Sequence, residues 1–318
     1  MMNAQGDDDD EIFVYMGGDQ RVPALVRRAK IHEDVKIVRA RAFYERRQLI
    51  SVEFHDGIEI IEEFAFDGCP SLRGPIKLLG VKIIKKLAFC ECPLTDVEFG
   101  DKLETIEDEA FYGCKALRSI MMPTVRTVGH HAFLSCEVLS HVEFGEGLCV
   151  LHRGAFGDCH KLERIVLPLK DIIIEEYVFS GCPKLATVDL VGGINQTVAS
   201  LHMESWRSEM NDEINRINQV LPTFTAWHKT EEIQQWMESA FRQLNHYKDQ
   251  HQKLLKEATT LLELALWKAN LDHNEGGKLA NEGVRITRSR KRARKEICVT
   301  SGASIVIKNV LPFLQLLE

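Results

Sequence analysis

The sequence lacks the features that mark several large classes of protein. No apolar run approaches the roughly 20 residues of a membrane-spanning helix, because the densest stretch is only Leu261–Trp267. A basic surplus is also missing, and the net charge of −7 argues against a general nucleic-acid binder. We find no phosphate-binding glycine loop, no nucleophile elbow and no histidine pair at the helical spacing of a metal site. We therefore expect no catalytic residues, no metal ligands and no cofactor.

The start of the chain does not follow the pattern of a secretory signal, which is basic and then apolar. It runs instead into the acidic stretch Asp7–Asp10, and we interpret residues 1–11 as a disordered acidic tail. The nine cysteines are an odd number, which fits a reducing compartment better than a disulfide framework. We expect an intracellular protein, cytoplasmic or nuclear and not secreted.

A repeat of 22–23 residues runs through much of the chain. The pair Ala-Phe recurs six times, and Val-Phe completes the series. A cysteine usually follows three residues after the phenylalanine, a leucine three residues later, and then an alternating stretch such as Val52-Glu53-Phe54. The phenylalanines are Phe43, Phe66, Phe89, Phe111, Phe133, Phe156 and Phe179, and the cysteines are Cys69, Cys92, Cys114, Cys136, Cys159 and Cys182.

The alternating stretch of each unit predicts a short strand with one buried face. A single unit cannot bury that face, whereas stacked units bury it together and build a parallel sheet with equivalent residues in columns. We expect the phenylalanines to form an internal spine. We interpret the cysteines as small buried residues. One group suggests zinc, but we interpret it as structural and not as a metal site; it contains Cys149, His152, Cys159 and His160.

The pattern Ala-Phe-x-x-Cys-x-x-Leu-x-x-Val-x-Phe resembles the BspA-type (Treponema pallidum-type) leucine-rich repeat over about residues 25–191. The resemblance implies a leucine-rich-repeat solenoid with its parallel sheet on the concave face, and it says little about function. The flanks, Val-Tyr-Met-Gly-Gly at 14–18 with Val-Pro at 22–23, and the tail at 300–314, look like the intracellular members found in diatoms.

We predict that the solenoid spans residues 12–193. A strand at Phe13–Met16 forms an N-terminal cap, Ala29–Ile31 is the first repeat strand, and two glycines end the array. Prolines at Pro75 and Pro93 interrupt their repeats, because proline cannot donate to a strand ladder. We therefore expect a local bulge or kink around residues 72–97.

The C-terminal third changes to helical periodicity. Residues 194–271 form a helical region, with helices at about 200–221 and 230–271, and a heptad seam follows the second helix. That helix either projects beyond the repeats or breaks near His246–Gln252 and folds back, and we favour a hairpin that caps the last repeat. The seam is interpreted as intramolecular core, with self-association as the alternative. Residues 272–297 form a flexible basic linker and residues 298–318 a terminal helix.

Solenoids bind extended partners on the concave face, so the exposed residue of each strand is a candidate contact. Four of the seven are acidic, which predicts a mostly acidic face suited to a basic segment of a protein partner. The alternative is a row of merely solvated side chains. The seven are Glu53, Lys77, Glu98, Met121, Glu143, Val166 and Asp189.

A basic run within the linker resembles a short nuclear import signal. Alternatives are a nucleic-acid arm and a solvated linker. The run contains Arg288, Arg290, Lys291, Arg292, Arg294 and Lys295.

We therefore predict a non-enzymatic, intracellular protein–protein interaction scaffold that does not enter membranes. Two other functions stay open. One is a nuclear nucleic-acid-associated adaptor acting through residues 285–295, although the overall charge disfavours nucleic acid. The other is a surface-recognition protein, as in some relatives with this repeat.

Overall fold

The computed structural model describes residues 12–191 and 203–278, with side chains as far as residue 269. The predicted acidic tail, the basic run and the terminal helix lie outside the described residues. Within them the chain forms the strands β1 (Ile12–Tyr15), β2 (Arg28–Ile31), β3 (Ile37–Val38), β4 (Ser51–Glu53), β5 (Ile60–Ile61), β6 (Gly74–Leu78), β7 (Ile83–Ile84), β8 (Leu94–Phe99), β9 (Thr105–Ile106), β10 (Ser119–Met122), β11 (Thr127–Val128), β12 (His141–Phe144), β13 (Val150–Leu151), β14 (Arg164–Leu167), β15 (Ile173–Ile174) and β16 (Thr187–Leu190), followed by the helices α1 (Glu204–Val220) and α2 (Lys229–Lys278).

Each repeat contributes one longer strand and, in nearly every case, one strand of two residues. The two-residue strands form a seven-stranded sheet in the order β15-β13-β11-β9-β7-β5-β3. The longer strands pair as β1-β2-β4, β6-β8 and β10-β12-β14-β16. All of these pairings are parallel, and they set equivalent residues opposite each other, as in Ile120 with Val142. The predicted parallel solenoid of stacked repeats is confirmed.

The core is a column of aromatic rings. The seven repeat phenylalanines are fully buried, and consecutive rings stack with centroids 4.8–6.1 Å apart. Tyr15 of β1 tilts against Phe43 at 5.3 Å and ends the column on the N-terminal side. Each ring of the column stacks on the ring of the next repeat, so the column is a chain of nearest-neighbour contacts, and Phe54, Phe99 and Phe144 of the long-strand segments pack against it from the side. The predicted spine is confirmed.

The two features predicted for the N-terminal half, the strand cap and the bulge, are both present. Strand β1 pairs in parallel with β2, with Tyr15 opposite Ile31, so the cap is a strand that extends the sheet. Between β6 and β8 the register shifts at Gly74 and Pro75. The missing N–H of proline explains the bulge.

The turns contain a backbone conformation that the repeat pattern does not predict. Two residues before each spine phenylalanine the backbone has a positive φ, and among the seven turns only Gly154 is a glycine at this place. The other six residues are Arg41, Phe64, Leu87, Glu109, His131 and Tyr177. Hydrogen bonds between successive turns, such as the Phe89 N–H to the Ala110 carbonyl at 2.8 Å, hold this geometry.

The helices differ from the prediction at one point. Helix α2 runs without interruption from Lys229 to Lys278, so the predicted break near His246–Gln252 is wrong. The stretch is polar, but polar residues do not end a helix that lacks a proline or a capping turn. The helix also continues past residue 271, through Gly276 and Gly277, into the predicted linker.

The described residues group into two compact units. One contains the solenoid and Met210–Phe241, and the last turn is bonded to α2 through the Phe179 N–H, which donates to the Thr230 hydroxyl at 2.9 Å. In this unit α2 forms a helical hairpin with α1 and not with its own C-terminal half. The Trp236 indole N–H on α2 donates to the Glu213 carbonyl on α1 at 3.2 Å. The other unit contains residues 203–209 and 242–278 of the described chain. Within it Trp206 stacks on Tyr247 with ring centroids 5.1 Å apart, and the Tyr247 hydroxyl donates to Glu209.

Candidate partner-binding face

The predicted contact residues lie in one column across the longer strands. Lys77 stands opposite Glu98, and Met121 stands opposite Glu143. Glu143 is in turn opposite Val166, which is opposite Asp189. We call this column, which Lys30 joins through its pairing with Glu53, the strand face. Sequence reasoning missed Lys30, although it lies 23 residues before Glu53 and the repeat spacing could have found it.

The side chains of this column differ in exposure. Glu53, Lys77, Glu98 and Met121 are exposed, whereas Glu143 and Asp189 are half-buried. Val166 is only 5% exposed, so its prediction as an exposed apolar spot is wrong. The short Val166 side chain lies between the longer Glu143 and Asp189 of the adjacent strands.

Part of the charge on the strand face is balanced within the molecule. The Lys77 ammonium lies 3.0 Å from a Glu98 carboxylate oxygen. On β14, Arg164 bonds the Asp189 carboxylate of β16, and the His141 imidazole lies 3.5 Å from Glu143. With Lys30 added, the strand face carries two lysines beside its four carboxylates, and its mostly acidic character stays a prediction. The acidic residues recur at the repeat spacing, but their cations come from the neighbouring columns as well.

Met121 is an exposed apolar residue of this surface. Its side chain is 59% exposed, and it lies on β10 between the buried Ile120 and Met122. Glu143 follows it in the next strand. An exposed methionine is a flexible and polarisable contact that adapts to the shape of a partner. The strand face therefore combines one adaptable apolar point with charged neighbours.

The cysteine column has a role beyond small size. Each of its six thiols donates a hydrogen bond to the carbonyl of a spine phenylalanine one turn earlier, as Cys69 does to Phe43 at 3.0 Å and Cys182 to Phe156 at 3.1 Å. Burial raises the pKa of Cys69 and of Cys136 to about 12. These thiols are therefore neutral donors at physiological pH. Cys159 belongs to this column and bonds Phe133 at 3.3 Å, which agrees with its interpretation as a structural residue.

Among the described residues, one group of metal-ligand type comes together that the sequence did not single out. His130, His152 and Glu175 place one ligand atom each within 4.8 Å of one another. Only His152 belonged to the group weighed for zinc from the sequence. The repeat spacing could have found the other two, because Glu175 lies 23 residues after His152 and His130 lies 22 residues before it.

The C-terminal helices contain both buried and exposed parts of the heptad seam. Ile233, Met237, Ala240 and Leu244 are buried, in agreement with an intramolecular core. Further along, Leu261 is 50% exposed. Self-association through this seam stays a prediction. The described part of the chain has no helix long and apolar enough to cross a membrane.

Comparison with solved structures finds bacterial leucine-rich repeat proteins. A leucine-rich repeat protein from Bacteroides ovatus is 27% identical, covers 59% of this chain and 47% of its own, and has a TM-score of 0.47. A leucine rich cell surface protein from Faecalibacterium prausnitzii is 28% identical, covers 56% and 49%, and has a TM-score of 0.44. The T. pallidum leucine rich repeat protein is 25% identical, covers 51% and 68%, and has a TM-score of 0.36.

This chain spans about half the length of the first two of those proteins. A comparison with curated proteins finds no match. The repeats match the family described as the BspA type leucine rich repeat region in six copies, over residues 25–78 and 82–205. That match covers more than half of the sequence and coincides with the stacked strands and the phenylalanine spine. The chain therefore belongs to the BspA-type leucine-rich repeat family, whose solenoids generally serve as protein-interaction scaffolds.

Proposed function

We propose that this protein is a non-enzymatic intracellular scaffold that holds a protein partner on its strand face. The observation that carries the proposal is the exposure of Met121, at 59%, within a row of charged side chains. A contact site needs an apolar anchor surrounded by polar groups that exclude mismatched partners. The strand face has both, on strands whose backbone is fixed by parallel pairing.

The chemistry of the partner follows from the neighbours of Met121. Glu98 and Glu143 lie on β8 and β12, on either side of β10. Strands lie about 4.8 Å apart, so the two carboxylates are roughly 10 Å apart along the stack. An extended segment with an apolar side chain over Met121 and a basic side chain toward each glutamate fits this arrangement. Because Glu98 already pairs with Lys77, such a segment gains more from the apolar contact than from charge alone.

The intracellular part of the proposal is supported by the cysteine column. Its thiols serve as hydrogen-bond donors to buried carbonyls, a role that only the reduced form can fill. A reducing compartment keeps them in that form. Imaging of a tagged full chain in the source cell tests this part, and a signal confined to the cell surface would contradict it.

An affinity experiment with three baits tests the binding proposal. The baits are the wild type, a strand-face variant with Met121→Ala, Glu98→Gln and Glu143→Gln, and a control variant with Glu59→Gln and Glu137→Gln. The control is matched because Glu59 and Glu137 also pair with lysines across turns, at 2.7 and 2.8 Å, but lie off the strand face. Proteins from the source cell are quantified by mass spectrometry.

We expect one partner to be recovered with the wild type and the control and to be lost with the strand-face variant. Titration of that purified partner by calorimetry should then show at least a ten-fold loss of affinity for Met121→Ala alone, because interface anchors contribute more than about 1.4 kcal/mol. Equal recovery by all three baits would place the contact elsewhere and contradict the proposal. A circular dichroism spectrum of each bait checks its fold.

A further inference from the structure

Three side chains on consecutive turns converge outside the strand face. The His152 Nδ1 atom lies 2.9 Å from one carboxylate oxygen of Glu175, and the His130 Nδ1 atom lies 3.9 Å from the other. The two imidazole rings are 4.8 Å apart. All three side chains reach solvent, with exposures of 48% for His130, 30% for His152 and 35% for Glu175.

The register of the short strands brings these residues together. Val128 pairs with Leu151, and Leu151 pairs with Ile174. The residues that follow, Gly129, His152 and Glu175, therefore form one column. Gly129 contributes no side chain to this column. The ring of the next residue, His130, packs against the ring of His152.

Further hydrogen bonds fix the Glu175 carboxylate and the backbone at His130. The Arg153 backbone N–H donates to the second Glu175 oxygen at 2.8 Å, and the backbone N–H of His130 donates to Asp108 at 2.8 Å. The Arg153 hydrogen bond orients the carboxylate toward the two rings.

In an earlier part of the same column, a glutamate forms ordinary ion pairs. Glu62 occupies the place equivalent to Glu175, and its carboxylate lies 3.8 Å from Arg39 and 3.9 Å from Lys85. A guanidinium or an ammonium group has no free lone pair with which to bind a metal. At Glu175 two imidazoles take their place, and a neutral imidazole is a ligand for zinc.

We propose that His130, His152 and Glu175 form a binding site for a divalent transition metal, with Zn²⁺ as the expected ion. Zinc binds two imidazole nitrogens and one carboxylate oxygen at about 2.0–2.2 Å, and catalytic and surface sites keep a further position for water. Ligand atoms around such an ion are about 3.3 Å apart. The His152 nitrogen lies 2.9 Å from a Glu175 oxygen, and one ligand atom from each of the three residues lies within 4.8 Å of the other two. The ion would join three consecutive turns. The inference is independent of the function proposed above.

Calorimetric titration with ZnCl₂ tests the site on a full chain without a purification tag. The background carries Cys149→Ser, because this thiol is only half-buried, and Cys298→Ser, because that thiol lies outside the described residues. We compare His152→Ala and His130→Ala with the control His160→Ala, which removes an exposed histidine that is not part of the cluster. The background protein should bind one Zn²⁺ per chain.

Each ligand variant should weaken that binding at least ten-fold, and the control should leave it unchanged, because a lost ligand costs at least as much as a lost supporting group. Zn²⁺ should also raise the melting temperature of the background protein but not of His152→Ala. A second readout uses Co²⁺, whose visible absorption bands should appear with the background and control proteins only. Because His130 is half exposed, His130→Ala keeps the test valid if His152→Ala does not fold.

Two results would overturn the proposal. One is the absence of a stoichiometric Zn²⁺ titration in the background protein. The other is unchanged affinity in folded His130→Ala and His152→Ala proteins, which would assign the bound ion to other ligands.

Discussion

Asn218 on α1 pairs with both backbone groups of Val188 on the last long strand. The Val188 N–H donates to the Asn218 side-chain oxygen at 2.8 Å, and the Asn218 amide donates to the Val188 carbonyl at 3.2 Å. A neighbouring strand would use the same two groups. The Asn218 side chain thus satisfies two backbone hydrogen-bonding groups on the edge of β16. Such covering of an edge strand prevents it from pairing with another chain.

Replacing Asn218 with alanine should lower the free energy of unfolding by about 1–3 kcal/mol, because two buried-edge backbone groups lose their partner. The matched control is Asn215→Ala, which changes an exposed asparagine of the same helix. Urea unfolding followed by fluorescence measures both. Amide exchange at Val188 should accelerate in Asn218→Ala only, and equal stability of the two variants would contradict the capping role.

Lys229 supports the same end of the solenoid from the start of α2. Its side chain is fully buried, and its ammonium donates to the carbonyls of Pro183 and Leu185. Burial lowers the pKa of this lysine, but the charge-assisted hydrogen bonds offset part of that cost.

Lys229→Met should destabilise the protein by about 1–3 kcal/mol, since both carbonyls lose a donor. Lys253→Met, an exposed site on the same helix, should change stability by less than about 0.5 kcal/mol. Both are measured by equilibrium urea unfolding. A Lys229→Met protein as stable as the wild type would show that water replaces the ammonium.

The repeat spacing predicts most of the solenoid because each unit carries the same buried residues at the same places. It locates the phenylalanine spine, the β1 cap and the bulge at Pro75. It does not locate what depends on pairing between columns. The pairing of Asp189 with Arg164 of the neighbouring column, for example, is found only once the strands are in register. Likewise, a pattern of apolar residues cannot show whether a long helix breaks, because helix continuity depends on hydrogen bonds that every residue except proline can make.

Phe111 lies in the middle of the spine and should be its most sensitive position. Its ring stacks on Phe89 at 5.3 Å and on Phe133 at 5.1 Å. Phe111→Ala should cost about 3–5 kcal/mol, the usual range for a buried aromatic residue that leaves a cavity. Phe54→Ala should cost less, because Phe54 is only half-buried. Urea unfolding measures the difference, and a smaller loss for Phe111→Ala than for Phe54→Ala would contradict the spine as the main core.

The buried thiols make stability fall in alkaline solution. Burial raises the folded-state pKa of Cys69 and Cys136 to about 12, from an ordinary value of 9.0. Above pH 9 the unfolded chain therefore releases protons that the folded chain keeps. Stability falls wherever the folded state binds more protons, so the contribution of each thiol is complete below pH 9 and is lost progressively toward pH 12. The limiting slope is about 1.4 kcal/mol per pH unit for each thiol.

Cys136→Ala separates this effect from other alkaline titrations. The variant should be less stable than the wild type at pH 7, because the Phe111 carbonyl loses its donor. Its stability should fall less steeply between pH 9 and 10.5, because one raised pKa is gone. Lys229 acts in the opposite direction, since its lowered pKa lets the folded state lose a proton first, but it is the same in both proteins and cancels in the comparison. Urea unfolding at pH 7, 9 and 10.5 gives the slopes, and equal slopes for the two proteins would show that the thiols do not control the alkaline limit.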